Sequence, residues 1–252
     1  MTVDLYYLVH AWVFNASTTL AQFLSVCALT FLTGYLLCFL NPAVALDKNR
    51  NYKHYALDLI HSVLVHLFSP ALAIVINIFI LGYNPADLKP LSYDNQSALL
   101  TFVKVVGFVL FWDIYFFIIH ACLHFIRPLK RFHKDHHKRT VPNVFTSYNF
   151  SLTEFSVYVL FLQIMMTCPL SQNEITAIRL TIMGINIYGH SGFDFAAIHP
   201  SAKRLELLIL NSLGLLSVSE EHFKHHTERD NRTFQQYIRP LSWVFDKSGT
   251  KG

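Results

Sequence analysis

Residues 20–40 form a run of 21 residues without a charged side chain, and this run limits what the chain can fold into more than any other feature. A helix needs about 20 mostly apolar residues to cross a bilayer, so the run predicts a transmembrane helix. Further apolar stretches cover residues 56–83, 98–119 and 152–170, and a shorter one that contains Arg179 covers residues 175–188. The sequence therefore predicts an all-α integral membrane bundle of four to five transmembrane helices.

The composition leads to the same class of protein. Charged residues make up 14% and hydrophobic residues 53% of the 252 residues, whereas a soluble domain usually has about 25% charged residues. So few charges exclude a water-covered globular protein, a disordered chain, a coiled coil and a basic nucleic-acid arm. We expect one domain over residues 1–252, with residues 20–119 mainly in the membrane. Residues 120–252 are expected to form a helical hairpin and a cytosolic helical cap.

The distribution of Lys and Arg predicts the orientation in the membrane. No Lys or Arg precedes Lys48, and basic residues cluster after the first, third and fifth apolar stretches. The loop 84–97 instead has one Lys against two Asp. Because basic loops remain on the cytosolic side, we expect the N-terminus outside the cell or in the lumen and the C-terminus in the cytosol.

Histidines are concentrated in two short parts of the chain. Eight of the 14 lie within residues 120–137 and 222–226. Residues three or four positions apart lie about 40–60° from each other around a helix, so each cluster places its rings on one face. The three clusters are His120 and His124; His133, His136 and His137; and His222, His225 and His226. His190, in the segment Gly-His-Ser-Gly-Phe-Asp, is a ninth candidate.

Metal ions explain this concentration better than packing does. Nine protonated imidazoles would repel one another in a small volume, and nine neutral imidazoles would leave buried polar atoms unsatisfied. Neutral imidazole is a common metal ligand. Nine nitrogens are too many for one tetrahedral zinc ion but suit two ions with higher coordination numbers. Single histidines such as His61 and His66 are more often packed or cavity-lining residues.

Three polar residues are candidates for holding ligand rings in position. Asp113 precedes the first histidine pair by seven and eleven residues, which places it within about 20° of both rings around a helix. Asp194 follows His190 by four residues and Asn186 precedes it by four. Carboxylates commonly accept the second N–H of a ligand histidine, so we expect such contacts here. The alternative for Asp113 is a charge that faces the polar interior of the bundle.

At these motifs the sequence resembles the fatty acid hydroxylase/sterol desaturase superfamily of membrane di-iron oxygenases. The resemblance rests on the HxxxH, HxxHH and HxxHH boxes and extends from Asp113 to the C-terminus. Residues 130–137 match the superfamily's KxxHKxHH pattern, and residues 245–250 are similar to its WDKLFGT ending. Residues 190–194 resemble the HSGY(D/N) segment of the sterol-acting members, which include C4-methylsterol oxidases and cholesterol 25-hydroxylase.

The resemblance implies a dimetal site with two Fe ions, O2 as co-substrate and no catalytic side chain beyond the metal centre. The iron ligands that it implies are His120, His124, His133, His136, His137, His190, His222, His225 and His226. It also implies cytosolic histidine boxes, in the endoplasmic reticulum of a eukaryote or the inner membrane of a bacterium. Iron, unlike zinc, can take up electrons and activate O2.

The expected function is hydroxylation or desaturation of an unactivated C–H bond in a membrane lipid, most of all a sterol. A fatty acyl or sphingolipid hydroxylase and an alkylglycerol monooxygenase are alternatives. Electrons are expected from cytochrome b5 or an NAD(P)H-dependent reductase, because the sequence has no flavin, nicotinamide or haem motif. A metal transporter would place its ligands at broken helices near the bilayer midplane, and an inactive scaffold would be expected to lack a box histidine. Neither alternative fits complete boxes that follow the ends of the spans.

Overall fold

The computed structural model describes residues 5–46, 52–82, 97–213 and 218–228, and the secondary structure of this part consists of helices and the loops that join them, without strands. The helices are α1 (Leu5–Leu40), α2 (Tyr52–Phe79), α3 (Ala98–Phe125), α4 (Arg127–His133), α5 (Leu152–Met166), α6 (Gln172–His190), α7 (Pro200–Leu213) and α8 (Val218–Glu228). Short 3₁₀ turns lie at Pro42–Val44, His136–Lys138, Thr146–Tyr148 and Phe195–Ile198. The all-α membrane bundle predicted from the sequence is confirmed.

Three helices are long and apolar enough to cross a membrane. Their spanning parts are Asn15–Leu40, His54–Phe79 and Ala98–Phe125, and they confirm the first three predicted spans. Large apolar side chains project from them unburied; Phe39 is 86% and Leu29 69% exposed. Large apolar side chains exposed in this way are unfavourable in water and favourable in contact with lipid.

The fourth and fifth predicted spans are shorter helices. Helix α5 has 15 residues, which gives a length of about 22 Å at 1.5 Å per residue, less than the roughly 30 Å of a hydrocarbon core. Helix α6 has 19 residues but includes Glu174 and Arg179. Neither helix has both the length and the composition of a full span, and both pack against the long helices. Three spans are therefore supported among the described residues, and the fourth and fifth remain predictions.

Two apolar clusters hold the bundle together. The larger one joins α3, α5 and α6 through side chains such as Trp112, Phe161 and Ile178. The second joins α1 to α6 through Phe23 and Ile187, both fully buried. Inside a bilayer these side chains stabilise the bundle by van der Waals packing and not by removal from water, and together they fix α6 between the other helices. The last residue of α6 is His190, so this packing sets the position of that ring.

Polar contacts tie the loop after the second histidine box to α2. Asp58, 2% exposed, accepts hydrogen bonds from Arg139 Nε at 2.9 Å and from Asn143 Nδ2 at 2.8 Å. Ser62 donates to the carbonyl of Phe145. A charged group in such a place is costly unless it is paired, so the ion pair favours one arrangement of the loop relative to the membrane helix.

A second tie joins the end of α1 to the chain that follows α6. Leu46 N donates to the Gly192 carbonyl at 2.9 Å, and Asp194 N donates to the Val44 carbonyl at 2.8 Å. Gly192 has φ = 72°, a left-handed conformation that glycine adopts without steric cost. Gly34 of α1 leaves room for the Phe193 ring, which a Cβ atom at that position would overlap. The segment after His190 is therefore clamped onto a membrane-spanning helix.

Candidate metal centre

The nine histidines of the boxes and of the α6 end converge into two groups. In each group, one ring nitrogen per residue lies within 4.8 Å of those of all the other members. The first group consists of His120, His124, His133, His137 and His225, and the second of His136, His190, His222 and His226. All nine residues proposed from the sequence are thus brought together, while His61 and His66 lie outside both groups.

The rings converge because four segments meet at one end of the bundle: α3, α4 with the turn after it, α6 and α8. The last turns of α3 and α6 carry His120, His124 and His190, because both helices stop at the same end of the bundle. The second box lies where α4 gives way to a 3₁₀ turn, so His133 and His137 face one group and His136 the other. Helix α8 supplies ligand candidates to both groups, since the three positions of its box alternate between them.

Ring nitrogens approach one another closely inside each group. The Nε2 atoms of His120 and His137 lie 3.0 and 2.9 Å from Nε2 of His133. In the second group, His190 Nε2 lies 2.9 Å from His222 Nε2 and 3.3 Å from His136 Nε2. Two nitrogens that each bind one ion at about 2.1 Å and subtend a right angle would be about 3 Å apart. The observed separations therefore fit rings that share an ion.

The two groups differ in their access to solvent. All four rings of the second group are buried, whereas His124 and His137 of the first are half-buried. His136 additionally stacks on Phe150, with ring centroids 5.0 Å apart. The second group is therefore shielded by apolar side chains, and the first group lies nearer the surface of the protein.

Burial keeps these imidazoles in the form that binds metals. Removal from water lowers the pKa of His133, His136, His222 and His226 well below the usual value, and neighbouring imidazoles lower it further. Burial also lowers the pKa of His190 to about 4. Neutral imidazole is the ligand form, so at pH 7 the rings need no deprotonation before they coordinate an ion.

Unsatisfied ring atoms also fit a metal-binding role. Both ring nitrogens of His226, in the second group, are buried and have no hydrogen-bond partner within the described residues. Buried polar atoms are nearly always satisfied in folded proteins. A pair of ions would give the inward-facing atoms partners, and the donor set of neutral nitrogens is one that iron accepts.

The proposed positioning residues have different outcomes. Asp113 is fully buried in α3, and its contact with a ligand ring remains a prediction. Asn186 does meet His190, but through its backbone carbonyl, 2.8 Å from Nδ1, and not through its amide. The prediction for Asp194 was wrong in its partner, because Oδ2 accepts a hydrogen bond from Lys203 at 2.7 Å. The helix ends at His190 and the chain turns at Gly192, so the four-residue spacing to Asp194 is not helical.

Sequence reasoning missed Glu154. This residue is fully buried, and its Oε1 lies 2.7 Å from His133 Nδ1 and 3.4 Å from the Tyr158 hydroxyl that donates to it. Burial raises the pKa of the Glu154 carboxyl well above its usual value. A neutral His133 that donates from Nδ1 to Glu154 carries its lone pair on Nε2, which is the atom that faces the first group. Glu154 thus holds the tautomer that ligation requires.

A local pattern concealed that role. Ser151 and Glu154 have the Ser-x-x-Glu spacing of a helix capping box, and Ser171 and Glu174 have the same spacing at the start of α6. In α6 the box is complete, because Glu174 Oε2 accepts a hydrogen bond from Ser171 N at 2.7 Å. In α5 the Ser151 side chain caps the helix, but the Glu154 carboxylate turns to His133. The two glutamates differ in their partners in the fold, since Glu154 meets His133 and Glu174 pairs with Lys104 at 3.0 Å, and the local sequence pattern shows neither partner.

Comparison with known proteins agrees with these motifs. The family model described as "Fatty acid hydroxylase" matches residues 105–247, more than half of the chain. The match begins within α3 and includes all nine histidines of the two groups. Neither the search of curated proteins nor the search of solved structures gives a match.

Proposed function

Because this chain belongs to the fatty acid hydroxylase family, we propose that its two histidine groups hold a pair of iron ions that serve the O2-dependent hydroxylation or desaturation of a membrane lipid. Membership of the family supports a membrane-bound oxidoreductase that acts on lipids. The assignment of the nine histidines as iron ligands, five in the first group and four in the second, is part of the proposal.

The convergence of the imidazoles is the observation that carries this proposal. Each group offers four or five neutral nitrogens at mutual distances suited to one ion. A hydrolytic zinc site usually keeps three protein ligands and an open position, which these groups exceed. The chemistry that bound iron supplies is the activation of O2 by electrons for attack on a C–H bond.

The residues around the ions hold the ligands and exclude water. Glu154 and the Asn186 carbonyl each occupy Nδ1 of a ligand candidate, which directs Nε2 inward. Phe150 covers His136, and the apolar cluster of α3, α5 and α6 lies beneath the site. Apolar side chains on this side of the centre limit the access of water to it and so reduce side reactions with water. In hydroxylation, one oxygen atom of O2 enters the C–H bond and the other leaves as water, with two electrons and two protons from a donor.

A sterol is the first substrate to test, and an acyl lipid is the second. The sterol reading is supported by the resemblance of residues 190–194 to the segment of the sterol-acting members. An alkylglycerol ether is a further alternative. The electron donor proposed is cytochrome b5 or an NAD(P)H-dependent reductase, which would approach the basic cytosolic face by electrostatic attraction. Residence in the endoplasmic reticulum, or in the inner membrane of a bacterium, belongs to the same proposal.

The test combines metal analysis with product analysis. The full chain, kept in membranes, is supplied with an electron donor, isotopically labelled O2 and a panel of sterols and acyl lipids. We expect about two irons per chain and label in a lipid alcohol. His136→Ala and His225→Ala are expected to lose iron and product, whereas His61→Ala, which lies outside both groups, is expected to keep both. A folded wild-type chain without iron, or box variants with full activity, would overturn the proposal.

A further inference from the structure

A cavity of about 760 Å³ opens at the end of α3 and along α4. Its volume is within the range of small-molecule sites, about 300–1,000 Å³. His124, His133 and His137 of the first histidine group line part of it. The cavity therefore joins the surface of the protein to one of the two proposed metal positions.

The charged side chains that line this cavity are all positive. They are Arg127, Lys130, Arg131, Lys134 and Lys138. The first four have helical spacing, so they lie within about 100° on one face of α4 and of Lys134, the residue that follows it. Like charges three or four residues apart destabilise a helix. A topology signal requires basic residues near the membrane edge but does not require them on one face around a cavity.

Few of these charges are neutralised by the protein itself. Lys138 pairs with Asp135 at 2.5 Å, and the Arg131 guanidinium lies 4.6 Å from the centre of the Phe132 ring. Within the described ranges, Arg127, Lys130 and Lys134 have no ion-pair partner. An anion in the cavity would relieve their mutual repulsion.

The geometry of the cations suits a phosphate group in particular. A phosphate has several acceptor oxygens and up to two negative charges, and Arg and Lys bind it through charge-assisted hydrogen bonds. The neutral hydroxyl of a sterol would leave these charges unmatched. Phe125 and Ile126, 53% and 44% exposed, lie immediately before Arg127 at the end of a membrane-spanning helix. An apolar surface next to the cations indicates a ligand that comes from the lipid and not from solution.

We propose that this cavity binds the phosphate-bearing head of an acyl-lipid substrate and directs its chain towards the first histidine group. The inference rests on the proposed lipid oxidation, and among the substrate classes named above it favours the acyl lipid over the sterol. The headgroup lies against the cations of α4, and the apolar part of the lipid passes the half-buried His124 and His137.

Binding can be measured without turnover. The full chain in detergent is titrated calorimetrically with dihexanoyl phosphatidic acid, with dihexanoylglycerol, which has the same acyl chains without phosphate, and with inorganic phosphate. We expect saturable binding of the phosphatidic acid alone. In the Lys130→Ala/Lys134→Ala variant its affinity is expected to fall at least tenfold. Arg204→Ala, which removes an exposed cation from α7, is the matched control and should bind as the wild type does.

Each other outcome would overturn the inference in a recognisable way. Equal binding of inorganic phosphate would identify a site for soluble phosphate esters. Equal binding of dihexanoylglycerol would show that the cations do not select the ligand. A double variant that binds phosphatidic acid normally but is reduced more slowly by cytochrome b5 would make the cations a docking surface for the donor. A chain that hydroxylates a sterol and binds no phosphate probe would refute this inference and leave the proposed function intact.

Discussion

Substitution of Glu154 tests whether an outer carboxylate prepares the first histidine group for metal. Glu154→Leu removes the acceptor that lies 2.7 Å from His133 Nδ1, and it leaves that N–H buried without a partner. Leaving a buried donor without its partner costs about 1–3 kcal/mol, which corresponds to a roughly 5- to 150-fold loss at about 1.4 kcal/mol per tenfold. This agrees with the roughly 10- to 100-fold loss of metal affinity usual for such partners. Glu154→Gln keeps a carbonyl oxygen in place, so its loss is expected to stay below about tenfold.

The assay is a competition for Co²⁺ between the detergent-solubilised full chain and a coloured chelator, which reports affinity and stoichiometry without turnover. Glu206→Leu is the control, because Glu206 pairs with Lys203 and not with a box histidine. Thermal unfolding of the metal-free variants shows whether each one is folded. The reasoning is refuted if a folded Glu154→Leu chain binds both ions as the wild type does. It is also refuted if the Gln variant loses as much affinity as the Leu variant, because charge and not hydrogen bonding would then decide.

Three further predictions concern the scaffold and pH. Asp58→Ala leaves Arg139 without its partner at 2.9 Å. Breaking a buried ion pair costs about 3–5 kcal/mol, but the arginine is partly exposed, so the free energy of unfolding is expected to fall by about 2 kcal/mol. Denaturant unfolding in detergent measures this loss. Gly34→Val places carbon atoms where the Phe193 ring lies. Overpacking is therefore expected to lower the free energy of unfolding by about 1–3 kcal/mol. An unchanged free energy of unfolding would show that the Phe193 ring moves aside without cost. Burial lowers the folded-state pKa of His190 from 6.5 to about 4. Below pH 6.5 the unfolded chain binds a proton that the folded chain does not, so the metal-free chain is expected to lose about 3 kcal/mol of stability as the pH falls from 6.5 to 4. A melting temperature that stays constant or rises as the pH falls through this window would contradict this linkage.

The parts of the molecule that were predictable from sequence depend on local periodicity. The uncharged stretch that ends at Leu40 and the apolar run before His120 need only a length rule and became the long helices α1 and α3. The histidine spacings need only the geometry of a helical turn, and both HxxHH boxes place rings in the two groups. The tail at residues 245–250, which supported the resemblance, and residues 84–96 of the loop that supported the topology lie outside the described residues.

The parts that were not predictable depend on where the chain turns or on which element lies opposite. Asp194 has a helical spacing from His190, but the helix ends between them and Lys203 takes the carboxylate. Glu154 has the sequence pattern of a capping residue, and only the fold brings it to His133. The division of one box between two groups likewise cannot be obtained from spacing, since it requires the 3₁₀ turn that follows α4.

The unequal burial of the two groups has a consequence for how the centre would be assembled and dismantled. A site whose ligands are partly open exchanges its ion with solution, whereas a site enclosed on all sides must first open locally. The five-histidine group, with His124 and His137 half-buried, would therefore empty first in a chelator, and the enclosed four-histidine group would follow more slowly. Extraction in two kinetic phases of equal amplitude is the signature of this order, and a chain with a single remaining ion would be the intermediate that mild purification leaves behind.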